Sequence, residues 1–119
     1  MNYVDGFLIP VPDVRKDEYR AHEATWWPFF QNRGAISLVV CWGDDVPAGK
    51  QTDFRRAVDL QEGETVVFAW IVYKSRAHRD RVNAAVMKDP ELTAGCDPNK
   101  MPFDWKRMLV GGFETLVSS

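Results

Sequence analysis

The run TVVFAWIVY at 65–73 decides the fold, because eight apolar or aromatic residues follow Thr65 without a polar interruption. β-Branched and aromatic residues favour strands, so this run predicts a buried strand. A strand with one face in water alternates polar and apolar side chains, whereas a strand that is apolar at every position is covered on both faces. We therefore expect a layer of protein on each side of this strand.

The segments on either side of this run predict a β-α-β-β-α-β order. Strands are predicted at 3–11, 35–42, 65–73 and 107–117, and a short helical turn or edge strand at 54–58. One helix is predicted between Asp13 and Gly34, and a second between Ser75 and Lys88. Because proline lacks an N–H donor, Pro28 predicts a kink near 24–27 or a helix that ends there and restarts. The remaining segment, 91–105, is predicted to be irregular, and Gly111-Gly112 predict a bulge or a close backbone approach.

This order is typical of the ferredoxin-like or split βαβ pattern, an α+β fold in which an antiparallel sheet carries both helices on one face. The 119 residues correspond to a single domain, 1–119, and leave no second layer for the other face of the strand at 65–73. A two-fold partner is the commonest way to cover such a face. We therefore predict a homodimer in which two sheets close into a dimeric α/β barrel.

The composition argues against several classes of function, namely nucleic-acid binding, membrane spanning and secretion. Fifteen Lys and Arg against seventeen Asp and Glu give a formal charge of −2, so no basic excess favours nucleic-acid binding. No stretch approaches the roughly 20 apolar residues of a membrane helix, and the N-terminal apolar stretch lacks the features of a signal peptide. Cys41 and Cys96 stand 55 positions apart without a disulfide framework, which favours free thiols in a reducing compartment. We expect a cytoplasmic protein.

Several runs together resemble the YbaA-like family, small bacterial proteins catalogued as a domain of unknown function. The resemblance spans nearly the whole chain and implies the dimeric α/β barrel fold, but it brings no established activity. The runs that carry it are YVDGFLIPVP at 3–12, DDVPAGK at 44–50, ETVVFAWIVYKSRAHRDRVNAAVMKDP at 64–90, MPFDWKRM at 101–108 and GGFE at 111–114.

His78 is the candidate catalytic residue. It shares a helix face with Val82 and Ala85, and it lies in the first turn, where the helix dipole disfavours the imidazolium. A neutral imidazole can act as an acid, a base or a hydrogen-bonding anchor. The alternative is a packed histidine with one satisfied nitrogen, or a residue of the dimer interface.

Five further residues are candidate ligand contacts. Guanidinium and ammonium groups can bind an anion, although Arg76 can instead pair with Asp80 on the surface. Lys106 and Arg107 can also bind an anion, or they can lock the MPFD loop by ion pairing with Asp104. We favour the loop-locking role. Aromatic side chains can wall an apolar pocket, but the adjacent indoles at 26 and 27 are not expected to face one core together. The candidates are Arg76, Trp26, Trp70, Lys106 and Arg107.

The preferred hypothesis is a homodimer that binds a small anionic or aromatic molecule in a cleft between helices and sheet. The alternatives are an enzyme of the oxygenase or isomerase type that uses His78 as acid or base, and a regulatory protein-interaction module. Dimeric α/β barrels include cofactor-free enzymes, but a fold alone does not set a function. No cofactor is expected, and no metal, because the His and Cys residues lack the local spacing of zinc ligands. Cys41 is expected to be a small buried apolar residue.

Overall fold

The computed structural model describes residues 2–95 and 100–119, and within them a four-stranded sheet. Its strands are β1 (Tyr3–Pro12), β2 (Ser37–Trp42), β3 (Glu64–Tyr73) and β4 (Leu109–Glu114). The strand order is β2-β3-β1-β4, and every neighbouring pair is antiparallel. The fold class is therefore α+β with an antiparallel sheet, and the long strand centred on 65–73 lies inside that sheet.

Four α-helices connect and cover these strands. They are α1 (Lys16–Gln31), α2 (Phe54–Ala57), α3 (Arg76–Met87) and α4 (Pro90–Gly95), with short 3-10 turns at Asp13–Arg15 and Trp105–Arg107. The predicted cap of α3 is confirmed, because the Ser75 hydroxyl oxygen accepts a hydrogen bond from the backbone N–H of His78 at 3.1 Å. Among the described residues, no helix combines the length and apolar character that crossing a bilayer requires.

Three local predictions are corrected. Helix α1 continues through Pro28 to Gln31 and so does not end and restart there, because a proline in the last turn removes only one backbone hydrogen bond. Part of the segment predicted to be irregular forms α4. The glycine pair of β4 stays in regular register with β1, so it forms no bulge. A Cβ atom at Gly112 would overlap the Tyr3 ring, so this glycine instead permits a close side-chain approach.

One face of the sheet, the helix face, carries the core. Strand side chains alternate between faces, and the odd-numbered residues of β1 and β3 point to this side. Ile9, Val11, Val67 and Ala69 pack with Tyr19 of α1. Further along the same face, α3 packs on β3 in a second cluster formed by Ala35, Ile71, Tyr73, Val82, Val86 and Leu92. Both long helices therefore lie against the helix face.

The opposite side of the sheet, the open face, is apolar; its end at Pro10 and Val66 is buried, whereas its centre and its two edges are exposed. Phe68 stands near its centre, 48% exposed, in register with Leu8 on one side and Cys41 on the other. Exposed Val39, Leu109 and Phe113 extend the same surface across the sheet. Cys41 is exposed here, so its predicted burial is wrong for the single chain, because the odd-numbered positions of β2 point away from the helices.

Candidate functional site

A cavity of about 500 Å³ lies between the helix face, the two long helices and the segment that leads into β4. Its walls are mostly apolar and aromatic, which is the usual character of small-molecule sites. The sheet supplies Phe7, Ile9, Leu38, Ala69, Ile71 and Val110, and the C-terminal segment supplies Met101, Phe103, Trp105 and Met108. The helices supply Trp26, Trp27, Phe30 and Met87.

Helix α1 forms one wall because its apolar stripe faces the sheet. The His22 ring lies 5.1 Å from the Trp26 ring and 5.9 Å from the Phe103 ring, measured between centroids. Trp26 and Trp27 are both half-buried and both line the cavity, so the expectation that they cannot share one side is wrong. The cavity is wide enough for two large indoles on successive positions to reach it.

A buried ion pair forms the polar end of the cavity. The Arg79 guanidinium donates to the Asp5 carboxylate at 2.7 Å, and Asp5 is only 3% exposed. Burial raises the pKa of Asp5, while the charge of Arg79 and hydrogen bonds from Asn83 and Arg79 partly offset this effect. The Tyr73 hydroxyl donates to Asn83 Oδ1 at 3.2 Å. Charged and amide groups are therefore held at fixed positions beside an apolar space.

Further contacts hold Arg79 in place. Its Nε donates to Asp80 at 2.8 Å, its Nη2 donates to the Tyr3 hydroxyl at 3.4 Å, and its guanidinium lies 4.9 Å from the centre of the Tyr3 ring. The predicted surface pair between Arg76 and Asp80 is wrong, because Asp80 binds Arg79 instead. Arg79 thus joins the start of α3 to β1.

Two titratable residues of α1 also line the cavity. Burial raises the pKa of Glu23 to about 7, and the Tyr19 hydroxyl partly offsets this effect. Burial lowers the pKa of His22, with a smaller opposing effect from Glu18. The His22 imidazole is therefore neutral at pH 7, whereas Glu23 exchanges its proton near that pH.

His78 lies outside the cavity lining. Its Nε2 is 3.4 Å from the Arg33 carbonyl oxygen, and its ring centre is 6.3 Å from that of Tyr73. Its Nδ1 is buried without a hydrogen-bond partner among the described residues. Gly34 has a φ of 105°, and a Cβ atom there would lie 2.7 Å from the His78 ring nitrogen. His78 therefore packs against the loop between α1 and β2.

The five predicted ligand contacts do not come together. Of these residues, Trp26 lines the cavity, whereas Trp70 lies on the open face in register with Val39. Arg76 and Lys106 are exposed. Arg107 donates to both Glu64 carboxylate oxygens, at 2.8 and 2.7 Å, and to Asp104 at 2.9 Å. The favoured loop-locking role therefore fits the geometry of Arg107.

Three polar cavity residues were not singled out from the sequence. Asp5, Ile9 and Val11 are all odd-numbered positions of β1, and alternate residues of a strand point to the same face. The alternation of the strand therefore predicts that Asp5 points toward the helices. Glu23 lies four residues after Tyr19 on the apolar stripe of α1. Asn83 carried no comparable sequence signal, because its role depends on β1 and β3 lying beside α3.

Comparison with known proteins places the chain in a family. A family model described as "Protein of unknown function (DUF1428)" matches residues 2–105. The chain belongs to this family. The "Uncharacterized protein YbaA" of Escherichia coli (strain K12) is 49% identical to this DUF1428 chain over 117 residues, which cover 98% of each chain. The relative of the same description from Shigella flexneri matches equally well. The resemblance to the YbaA-like family is thereby confirmed.

A solved structure titled "De novo designed protein Foldit4" superposes on the DUF1428 chain with a TM-score of 0.46 at 14% identity, covering 98% of this chain and 100% of its own. Within the described residues no group of three or more His, Cys, Asp or Glu side chains is placed to hold a metal ion, and Cys96 lies outside those residues.

Proposed function

We propose that this protein binds a small, uncharged and mostly apolar molecule in the cavity between its helices and sheet. The observation that carries the proposal is a cavity of about 500 Å³ with aromatic walls and a buried ion pair at one end. Cavities of about 300–1,000 Å³ with a few fixed polar groups are typical of small-molecule sites. The apolar walls supply affinity, and the polar end sets the orientation of the ligand.

The charges at the polar end favour a neutral ligand. Arg79 is already neutralised by Asp5 and lies beside Asp80, so little positive charge remains for an anion. The other predicted cationic contacts do not line the cavity. An anion beside this pair would add a second negative charge next to the buried Asp5 carboxylate without a cation of its own, which is strongly unfavourable. A ligand with a carbonyl or hydroxyl group avoids this penalty.

The functional unit in this proposal is a homodimer joined through the open face. Exposed Phe68 and Phe113 belong to an apolar surface that the segment around Phe54 covers only at its Val66 end. Contact with a second copy would remove this surface from water. The strand order β2-β3-β1-β4, with both long helices on the other face, supports a ferredoxin-like unit that pairs as a dimeric α/β barrel. The exposed thiol of Cys41 supports a reducing, cytoplasmic location.

Binding can be tested through the five tryptophans, with phenylacetone as a neutral aromatic probe. The indoles of Trp26, Trp27 and Trp105 line the cavity, whereas those of Trp42 and Trp70 do not. In an NMR titration we expect the three cavity indole N–H signals to shift and the other two to stay in place. No shift at saturating probe, or shifts centred on Trp70, would place the molecule elsewhere and overturn the proposal.

A further inference from the structure

Glu23 occupies an unusual position for a carboxyl group. It lies in the middle of α1 and lines the cavity, and none of the described residues forms an ion pair with it. Asp5, the other acidic residue of the lining, is held by Arg79 at 2.7 Å. Glu23 is followed on α1 by the two cavity indoles, Trp26 and Trp27. A carboxyl group without an ionic partner thus faces an apolar space that can hold a ligand.

The surroundings of Glu23 allow it to change its protonation state. Tyr19, one helical turn earlier, has a fully buried hydroxyl without a hydrogen-bond partner of normal geometry among the described residues. Burial raises the pKa of Glu23 to about 7, and the Tyr19 hydroxyl moderates that increase. Acid–base catalysis is most efficient when the pKa of the catalytic group lies near the working pH. Glu23 meets that condition at neutral pH.

The cavity lining holds four other titratable or charged groups, whereas β2, β4 and the segment at 101–108 supply only apolar or aromatic side chains to it. The four groups are His22 of α1, Asp5 of β1, Tyr73 of β3 and Arg79 of α3. Burial raises the pKa of Tyr73 and lowers that of His22, so both are uncharged at pH 7. Asp5 and Arg79 neutralise each other. Glu23 is therefore the lining group that can gain or lose a proton near neutrality without breaking an ion pair among the described residues.

We propose that Glu23 is a catalytic acid–base residue that moves a proton on a neutral carbonyl compound bound in the cavity. This inference rests on the proposed function. The Glu23 carboxylate removes a proton from the carbon beside the carbonyl, the electron pair of that C–H bond forms a carbon–carbon double bond, and the carbonyl π electrons move to oxygen. The same carboxyl group then returns the proton to carbon or oxygen. The net change is a tautomerisation or isomerisation, which needs no oxidant, reductant or co-reactant.

Arg79 is suited to bind the carbonyl oxygen. A guanidinium has five N–H donors, and the contacts of Arg79 to Asp5, Asp80 and the Tyr3 hydroxyl engage three of them. The remaining donors can hydrogen-bond that oxygen when the proton leaves, and the cavity gains no net charge, because the negative charge passes from the Glu23 carboxylate to the oxygen. The substrate class is therefore an uncharged, largely apolar ketone or aldehyde with an acidic C–H bond.

Phenylacetone in D2O tests the proposal, because its methylene protons exchange for deuterium each time the enolate forms. We expect the protein to accelerate this exchange, and Glu23→Gln to lose about 100-fold or more of the acceleration. The exchange rate should rise with pH and level off above about 7, because the carboxylate is the base. Glu18→Gln is the matched control, since Glu18 lies on the same helix but is exposed and bound to Arg15.

Binding is measured in parallel through the tryptophan signals, so that the two proposals can fail separately. If phenylacetone shifts the cavity indoles but exchanges no faster with the protein than with Glu23→Gln, the catalytic role of Glu23 is overturned and the binding function stands. If phenylacetone does not bind at all, the binding function fails and the catalytic role fails with it. If Glu23→Gln binds as well as the wild type but loses the acceleration, both proposals are supported.

Discussion

Burial raises the pKa of the Glu23 carboxyl group from 4.5 to about 7. Between these two pH values the carboxyl group therefore takes up a proton when the chain folds. A raised carboxyl pKa favours the folded state at low pH, and this contribution is lost as the pH rises through 7. We expect Glu23→Gln to match the wild type near pH 4.5 and to be more stable by about 1–3 kcal/mol at pH 8. Urea denaturation at several pH values measures this difference, and a difference independent of pH would contradict the burial of Glu23.

The buried ion pair of Asp5 and Arg79 stabilises the fold only while both charges are present. Arg79→Met leaves a carboxylate that is 3% exposed without its cation, and breaking such a pair costs about 3–5 kcal/mol. The double variant Asp5→Asn with Arg79→Met removes both charges and should recover most of that loss. Urea denaturation of the two single variants and the double variant gives the coupling energy. If the double variant instead loses the sum of the unfolding free energies lost by the two single variants, the two side chains act independently.

At the scale of elements, Arg107 joins the turn that precedes β4 to the start of β3. It contacts Glu64 and Asp104 and also donates to the Asp59 carbonyl oxygen at 2.9 Å. We expect Arg107→Met to lower the free energy of unfolding by about 1–3 kcal/mol, because several charge-assisted hydrogen bonds are lost together. Lys106→Met, at the exposed neighbouring position, should change it by less than about 0.5 kcal/mol.

The Arg107 pairs also predict an acid dependence. The Arg107 hydrogen bonds hold the pKa values of Glu64 and Asp104 below their ordinary values of 4.5 and 3.8. A lowered carboxyl pKa stabilises the fold above its unfolded value and loses that effect as the pH falls through the folded value. The loss of unfolding free energy in Arg107→Met should therefore become smaller below about pH 4. A loss that stays the same in acid would contradict an ionic origin of the stabilisation by Arg107.

The elements themselves were largely predictable, because strands and capped helices leave local signals. The uninterrupted apolar run of β3 and the Ser75 cap of α3 were visible in the sequence and are found in the structure. The cavity was less predictable, since its polar end joins residues 74 positions apart, Asp5 and Arg79. No local pattern selects which of Arg76, Arg79 and Arg81 turns inward, because that choice depends on how α3 packs against β1.

At the scale of the whole molecule, the open face predicts a dimer. Sedimentation at low concentration should report close to twice the chain mass of 13.6 kDa. Phe68→Asp should yield a folded monomer, because a position that is 48% exposed lets the carboxylate reach water in the single chain, whereas the dimer would bury it. Val14→Asp, at a position 95% exposed and away from the sheet, is the control. A dimer unaffected by Phe68→Asp would place the interface elsewhere.

Filling the cavity tests whether it holds a small apolar ligand. Ala69 is buried and lines the cavity, so Ala69→Leu adds apolar volume where the ligand would lie, whereas Ala84→Leu adds the same atoms to the exposed side of α3. Calorimetric titration with phenylacetone should show affinity reduced at least about tenfold in Ala69→Leu, a loss of about 1.4 kcal/mol, and unchanged in Ala84→Leu. Equal affinity in both variants would contradict binding in this cavity.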